Sequence, residues 1–220
     1  MTTIAFDIYG TLIDPLSVGV LLQEIVGKKA EAFNHLWRDK QLEYSFRKAA
    51  MKQFNHFTEC TRQALIYSDA VLQTHLNAVD QNRLMQAYRQ LPAYDAVAPT
   101  LAQLRAKNIE VVAFSNGAYE DLLALFDYAG ITSLFDQIIS VDEVQTFKPA
   151  PEVYHLLAQK AKAEKANTWL VSTNSFDIIG ALACGLNTVY LQRQEERILD
   201  PFGYESTCTV QTIGELIDLF

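Results

Sequence analysis

The sequence predicts an α/β protein: one parallel sheet covered by helices on both faces, opened after its first strand to admit a helical insert. Three observations lead there. From about residue 92 onward, short apolar runs of strand length alternate with helical patterns, which is how a parallel sheet with helical crossovers reads. Between residues 17 and 91 no convincing strand occurs, and glycine is nearly absent after Gly27, as helix interiors require. One apolar strand stands ahead of that stretch, so the insert interrupts the α/β unit instead of preceding it. The expected division is an α/β core of residues 1–14 and 92–220 with a helical cap of residues 15–91.

Taken in order, Thr2 to Ile8 is apolar and strand-like and runs into Tyr9-Gly10-Thr11. The insert reads as helices over Ala30 to Met51, where Phe33, Leu36 and Trp37 give the apolar positions, then Phe57 to Leu76 and Gln81 to Gln90. The core resumes with a helix from Val97 to Lys107, a strand from Glu110 to Ser115 and a helix from Tyr119 to Ala129. A strand from Phe135 to Val141 and a helix from Pro151 to Ala163 follow, with proline suited to a first helical turn. Thr168 to Ser172 reads as a strand, Phe176 to Cys184 as a helix and Thr188 to Gln192 as a strand. A short strand at Cys208 to Val210 and a helix over Ile213 to Leu219 close the chain.

Composition narrows the function classes. Half of the 220 residues are hydrophobic and 20% are charged, a globular balance in a chain long enough to bury its own core. No apolar run approaches the roughly 18 residues of a membrane span, so no membrane partner is expected. Met1 to Asp7 has neither a basic region nor an extended apolar one, so no secretory signal is expected. Cys60, Cys184 and Cys208 are odd in number and widely spaced, which fits reduced thiols in the cytoplasm and neither a disulfide frame nor a zinc knuckle. The net charge of −8 argues against nucleic acid as a partner, although an anionic substrate needs only local cations. His35, His56, His75 and His155 share no ligand spacing, and Asp14 and Asp142 read as capping or solvated residues.

In open α/β sheets ligands sit at the carboxyl ends of the strands, and here those ends are polar. They read Asp7-Ile8-Tyr9-Gly10-Thr11, Ser115-Asn116-Gly117, Lys148-Pro149 and Ser172-Thr173-Asn174-Ser175-Phe176-Asp177. Each alone is ordinary: an Asp at a strand end caps a turn, and Ser-Asn-Gly makes one. Their order at four strand ends resembles the haloacid dehalogenase superfamily over essentially the whole chain, with the helical insert in the place of that family's first cap. The fold implied is therefore a HAD-like Rossmannoid sheet. The residues Trp37 to Ser45, the sequence Lys148-Pro149-Ala150-Pro151-Glu152-Val153-Tyr154 and the motifs above resemble its L-2-haloacid dehalogenase branch. Asp39 stands where some relatives carry an amide and Phe176 where some carry Trp, which bears on pocket size and substrate range.

Two departures from the phosphatases of the superfamily set the expected reaction. Tyr9 occupies the place of their second Asp, and a phenol is a poor acid for an alkoxide leaving group. Thr173 occupies the place of their magnesium-binding Asp, and a hard cation favours carboxylates. The resemblance thus implies hydrolysis of short L-2-haloalkanoic acids to D-2-hydroxy acids, with no cofactor and no metal. A magnesium-dependent phosphatase and a non-catalytic binding protein on the same fold are the alternatives, whereas no G-x-G-x-x-G follows the first strand to suggest a dinucleotide.

Displacing halide beside a carboxylate requires an in-line nucleophile, a clamp for the carboxylate and donors for the halide. By the resemblance Asp7 attacks and forms an ester that water hydrolyses. Thr11 and Ser115 are short hydroxyl donors near Asp7 and the substrate carboxylate, joined by backbone N–H groups. Arg38, with Asn116 and Phe176, is the implied halide cradle, and Arg38, Leu42 and Ser45 share one helix face. Lys148 is the counter-charge of Asp7, supported by Asp177, while Tyr154, Ser172 and Asn174 orient the network. Asp177 with Asn174 is expected to position the water. Tyr9, Leu42 and Phe57 would make an apolar pocket, Leu42 and Phe57 reading equally well as packing between cap and core. The partners implied are a small 2-halo acid, a halide ion and, as is common among the relatives, a second copy of the chain.

Overall fold

A computed structural model describes residues 1–220. Six strands form one parallel sheet: β1 (Thr3–Phe6), β2 (Glu110–Ser115), β3 (Gln137–Ser140), β4 (Thr168–Ser172), β5 (Asn187–Leu191) and β6 (Cys208–Val210). They lie in the order β3-β2-β1-β4-β5-β6. The order reverses between β1 and β4, which leaves the crevice where open α/β sheets bind ligands. Phe6 is level with Ala113 of β2 and Val171 of β4, so Asp7, Ser115 and Ser172 emerge at one edge.

Side-chain alternation builds the two faces. Ile4, Phe6, Val111 and Ala113 enter a cluster of 33 buried residues, while Ala5, Val112 and Phe114 enter a second cluster of 16 on the opposite side. The central strands are therefore apolar on both faces along their middles, as a sheet buried on both faces requires. Core helices cover it: α5 (Val97–Ala106), α6 (Tyr119–Ala129), α7 (Pro151–Lys160), α8 (Ser175–Ala183) and α9 (Leu216–Leu219).

Between β1 and α5 run four helices, α1 (Gly19–Val26), α2 (Ala30–Met51), α3 (Phe57–Leu72) and α4 (Ala78–Ala87). The chain leaves and returns side by side, with Asp14 N donating to Pro92 O and Tyr94 N to Leu12 O. Leu22, Phe33, Trp37, Leu65 and Tyr88 join the larger cluster beneath, so these helices share a core with the sheet instead of hanging from it. Phe57 and Cys60 join the smaller one, and burial pushes the Cys60 thiol up to about 11. No helix is long and apolar enough to cross a membrane.

The elements differ from the sequence expectation mainly at their ends. The first strand closes at Phe6, not Ile8, because Ile8 O turns to accept the N–H groups of Thr11, Leu12 and Ile13. The helix expected to Leu76 stops at Leu72, where Gln73 adopts a left-handed conformation at φ 50°. The next helix begins at Ala78 instead of Gln81, because the Asn77 side chain accepts the Asp80 N–H. Helix α7 ends at Lys160, and Ile213–Glu215 is a 3₁₀ turn ahead of α9. Helix α1 is absent from the sequence reading; eight residues that begin with Gly19 and stop before Gly27 are too short for a clear period.

Candidate active site

The site grows from the loop after β1. Gly10 sits at φ +93°, a conformation that side chains with a Cβ rarely adopt, and a Cβ there would meet Thr173 Oγ1 at 3.3 Å. That turn lets Asp7 point across the crevice while Thr11 folds back on it.

Asp7 is nearly buried, and its two oxygens are held differently. Oδ2 accepts from Asn174 Nδ2 at 2.7 Å, Thr11 Oγ1 at 3.0 Å and Ser172 Oγ at 3.2 Å. Oδ1 accepts from Lys148 Nζ alone, at 3.1 Å. Three neutral donors fix the carboxylate plane, and one lone-pair side of Oδ1 stays open.

Lys148 is 1% exposed and is the hub. Besides Asp7 it bonds Asp177 Oδ2 at 2.7 Å and Phe114 O at 2.8 Å, and it lies 4.2 Å from the Phe114 ring centre. A buried ammonium is tolerable only with such partners. Asp177 Oδ1 accepts from Tyr154 Oη at 2.8 Å. Burial pushes the Asp177 carboxyl up to about 6 against the pull of Lys148, with the charge of Asp7 adding to the rise. Burial and Asp177 together hold the Tyr154 phenol well above its ordinary value. Gly180, one turn along α8 from Asp177, makes room for that phenol: a Cβ there would stand 2.4 Å from Tyr154 Oη.

The sequence-predicted residues fall into three groups. Asp7, Thr11, Lys148, Tyr154, Ser172, Asn174 and Asp177 form one hydrogen-bonded network. Ser115 and Asn116 lie beside it with other bonds. Ser115 Oγ accepts from Gly117 N at 3.0 Å, and Asn116 Oδ1 accepts from Lys148 N at 3.0 Å. The third group is the α2 side. Arg38 donates to Tyr9 O at 3.3 Å and to Gln41 Oε1 at 3.4 Å, both long, and its guanidinium carbon lies 6.0 Å from the Tyr9 ring centre.

Some expected placements change. Asp177 is fully enclosed and both its oxygens are taken, which turns it toward Lys148 and Tyr154, away from a water-facing position. Asn116 lines neither cavity that Arg38 or Phe176 lines, because its side chain is drawn to the Lys148 backbone. Phe176 instead packs edge-on to Phe46 of α2 at 5.0 Å. Ser45 is buried and bonds back to Leu42 O. The expected apolar pocket is divided. Tyr9 and Phe57 pack at 6.2 Å beside a cavity that also holds Arg89 and Asp121, and Leu42 lines the cavities on the Arg38 side. Burial, with Asp121 nearby, raises the Tyr9 phenol beyond any acid role near neutrality.

Contributors unseen in the sequence are Phe114 O and Gly180; Thr173, read there only as the replacement of a metal-binding Asp, donates its N–H to Thr11 Oγ1 at 3.0 Å. Asp142, read as a capping or solvated residue, meets His56 of the inserted helices at 2.9 Å. No group of three or more His, Cys, Asp or Glu side chains is placed to hold a metal ion.

A carboxylate braced by neutral donors at the reversal of a parallel sheet, beneath helices that bring an arginine, is the arrangement that a hydrolase with an aspartate nucleophile requires. The model of the haloacid dehalogenase-like hydrolases matches residues 1–185, and the chain belongs to that family. It is 31% identical over 217 residues to an (S)-2-haloacid dehalogenase of Pseudomonas sp. (strain YL), covering 99% of this chain and 93% of that one. It is 37% identical over 191 residues to (S)-2-haloacid dehalogenase 1 of Pseudomonas sp. (strain CBS-3), covering 86% and 83%. The solved L-2-haloacid dehalogenase of Xanthobacter autotrophicus with chloropropionic acid covalently bound superposes with a TM-score of 0.91 at 30% identity, covering 100% of this chain and 98% of that one.

Proposed function

We propose that this hydrolase displaces halide from short L-2-haloalkanoic acids and releases D-2-hydroxy acids. The observation that carries the reading is the unequal treatment of the two Asp7 oxygens. Oδ1, with one partner, attacks the α-carbon in line with the carbon–halogen bond, and the pair of electrons in that bond leaves with the halide. A single displacement inverts the carbon. Lys148 holds Oδ1 in place and balances its charge before attack. Arg38 is the cation that can receive the halide, since guanidinium stays charged and its present bonds are weak. The Ser115 hydroxyl and the backbone N–H groups of the turns after β1 and β2 receive the substrate carboxylate.

The ester that forms leaves Oδ2 as a carbonyl oxygen. Water attacking the Asp7 carbonyl carbon puts negative charge on that oxygen, where Asn174, Thr11 and Ser172 already donate. They act as an oxyanion hole with no rearrangement to make; one such donor is typically worth about 10²–10³ in rate. Collapse expels the 2-hydroxy acid and restores Asp7 with one oxygen drawn from water. Asp177 and Tyr154 keep the Lys148 ammonium aimed at Asp7 and supply a carboxylate to the proton network behind it.

The magnesium phosphatase reading is weakened by the donor set. Tyr9 and Thr173 bring no carboxylate, and Asp177, the other carboxylate on Lys148, is sealed behind it. Chloride release from L- and D-2-chloropropionate in EDTA tests the proposal, with Asp7→Asn as control. Release from the L isomer alone, with ¹⁸O from labelled water entering Asp7 in a single turnover, is the expected result. Phosphate release from p-nitrophenyl phosphate only when magnesium is added would sink it.

A further inference from the structure

The chain has eight arginines. Five meet a carboxylate: Arg47 with Glu43, Arg62 with Glu59, Arg83 with Glu24, Arg89 with Asp121 and Arg105 with Asp136. The remaining three, Arg38, Arg193 and Arg197, line one cavity of about 230 Å³ between α2 and the segment after β5. In a protein of net charge −8, carboxylates are plentiful, yet none pairs with these three. Asp14 and Asp39 also line the cavity, and Asp14 Oδ1 is occupied by the Leu16 N–H at 2.9 Å.

Arg193 is built in, not draped over the surface. Its Nη2 donates to Thr11 O at 2.6 Å, and its guanidinium lies 4.1 Å from the Tyr94 ring centre. Its Nε is buried with no hydrogen-bond partner. A buried charged donor left open costs stability unless something accepts from it. Burial pushes this guanidinium below its ordinary value, with Tyr94 and Asp14 opposing. The cavity adjoins the nucleophile through one wall: Asn174 lines it and also donates to Asp7 Oδ2 at 2.7 Å, whereas Asp7 itself does not line it. Its volume of about 230 Å³ is enough for a short acid or a hydrated halide.

We propose that this cavity is a second anion site, where Arg193 and Arg197 hold a small monovalent anion, carboxylate or halide, beside the Asp7 site. Its kinetic consequence rests on the reaction proposed above: the haloacid carboxylate is captured there before it reaches Asp7, or the halide is held there as it leaves.

The test compares Arg193→Gln, Arg193→Lys and Arg197→Gln in the full chain. Arg105→Gln removes the same charge from the opposite end of the sheet. Chloride binding, read as ³⁵Cl NMR line broadening without substrate, should fall by half or more in both Gln variants that line the cavity. Where the site captures the incoming carboxylate, kcat/KM for L-2-chloropropionate should fall about tenfold in those variants, the lower range for loss of local electrostatic attraction, with kcat within twofold; where it holds the departing halide, KM should stay and chloride inhibition should weaken. Arg193→Lys should recover part of both effects, and Arg105→Gln should show neither.

A raised KM with unchanged chloride inhibition assigns the carboxylate, and weakened chloride inhibition with unchanged KM assigns the halide. Line broadening, KM and chloride inhibition all equal to the parent in both Gln variants would overturn the site, as would losses no larger than those of Arg105→Gln. Should Arg193→Gln fail to fold for want of its Thr11 bond, the exposed Arg197 carries the same test alone. If the parent releases no halide from any 2-haloacid but the Gln variants lose chloride broadening, the reaction reading falls and the anion site stands.

Discussion

Two walls face each other across the crevice. On the sheet side, around Asp7, donor and acceptor are matched: Lys148 meets three oxygens, Asp7 four donors, and Asp177 two. On the α2 side the cations are under-matched. Arg38 has two long bonds to neutral oxygens, and across the cavity from α2, in the segment after β5, Arg193 keeps a buried Nε with no partner. The sheet side must hold a nucleophile still before substrate arrives, so its bonds are made in advance. The α2 side must receive anions, so bonds made in advance would compete with the ligand.

Substitutions on the two walls should therefore behave differently, and the largest effects belong to the sheet side. Asp7→Asn should lower halide release by about 10⁴-fold or more, the scale of losing a nucleophile; intact-protein mass should show no ester adduct. A measurable rate near that of the parent would move the nucleophile elsewhere. Lys148→Met should strand two buried carboxylates, costing about 3–5 kcal/mol, which thermal unfolding reads as a fall of roughly 10 °C. An unchanged melting temperature would mean that the network is less buried than drawn.

Smaller effects test how that wall is braced. Gly180→Ala should push the Tyr154 phenol off Asp177, an overpacking cost of about 1–3 kcal/mol. Its kcat should drop with little change in KM, because no substrate contact is touched. The pH profile is a finer probe. With Asp177 raised to about 6, the active ionised form is lost as pH falls through that value, so kcat should decline on the acid side. The Tyr154 hydrogen bond lowers the Asp177 value, so Tyr154→Phe should move the acid limb to higher pH. A limb that stays in place would detach Asp177 from the rate. The stability sign runs the other way. Between the ordinary value of 3.8 and about 6 the folded chain binds a proton that the unfolded chain releases, so this group's contribution declines as pH rises. On the α2 side, Arg38→Lys should raise KM for haloacid and weaken halide inhibition while leaving the melting temperature within a degree or two, since its existing bonds are long.

Much of the sheet side was legible in the chain. Polar residues following four apolar strands, Asp7, Ser115, Lys148 and Ser172 to Asp177, can only converge if those strands are parallel and adjacent. Strands Glu110–Ser115 and Thr168–Ser172 read cleanly because each has an apolar middle, Val111 to Phe114 and Trp169 to Val171, between polar end residues. Gly180 had no signal beyond being a glycine inside a helix; its reason is a phenol from α7, which no local pattern encodes. The contact of Asn116 with Lys148 had no signal for the same cause: its partner is a backbone N–H 32 residues away.

The sequence by itself determined the element types, their alternation and which residues stand at strand ends, because periodicity and turn chemistry act over a few neighbouring residues. The tertiary structure alone decided which oxygen of Asp7 is free, that Asp177 lies behind Lys148, and that three arginines from α2 and the segment after β5 share a cavity. Those facts depend on distances between residues from 29 to more than 140 positions apart, set by the order of strands in the sheet and by the seat of the inserted helices upon it.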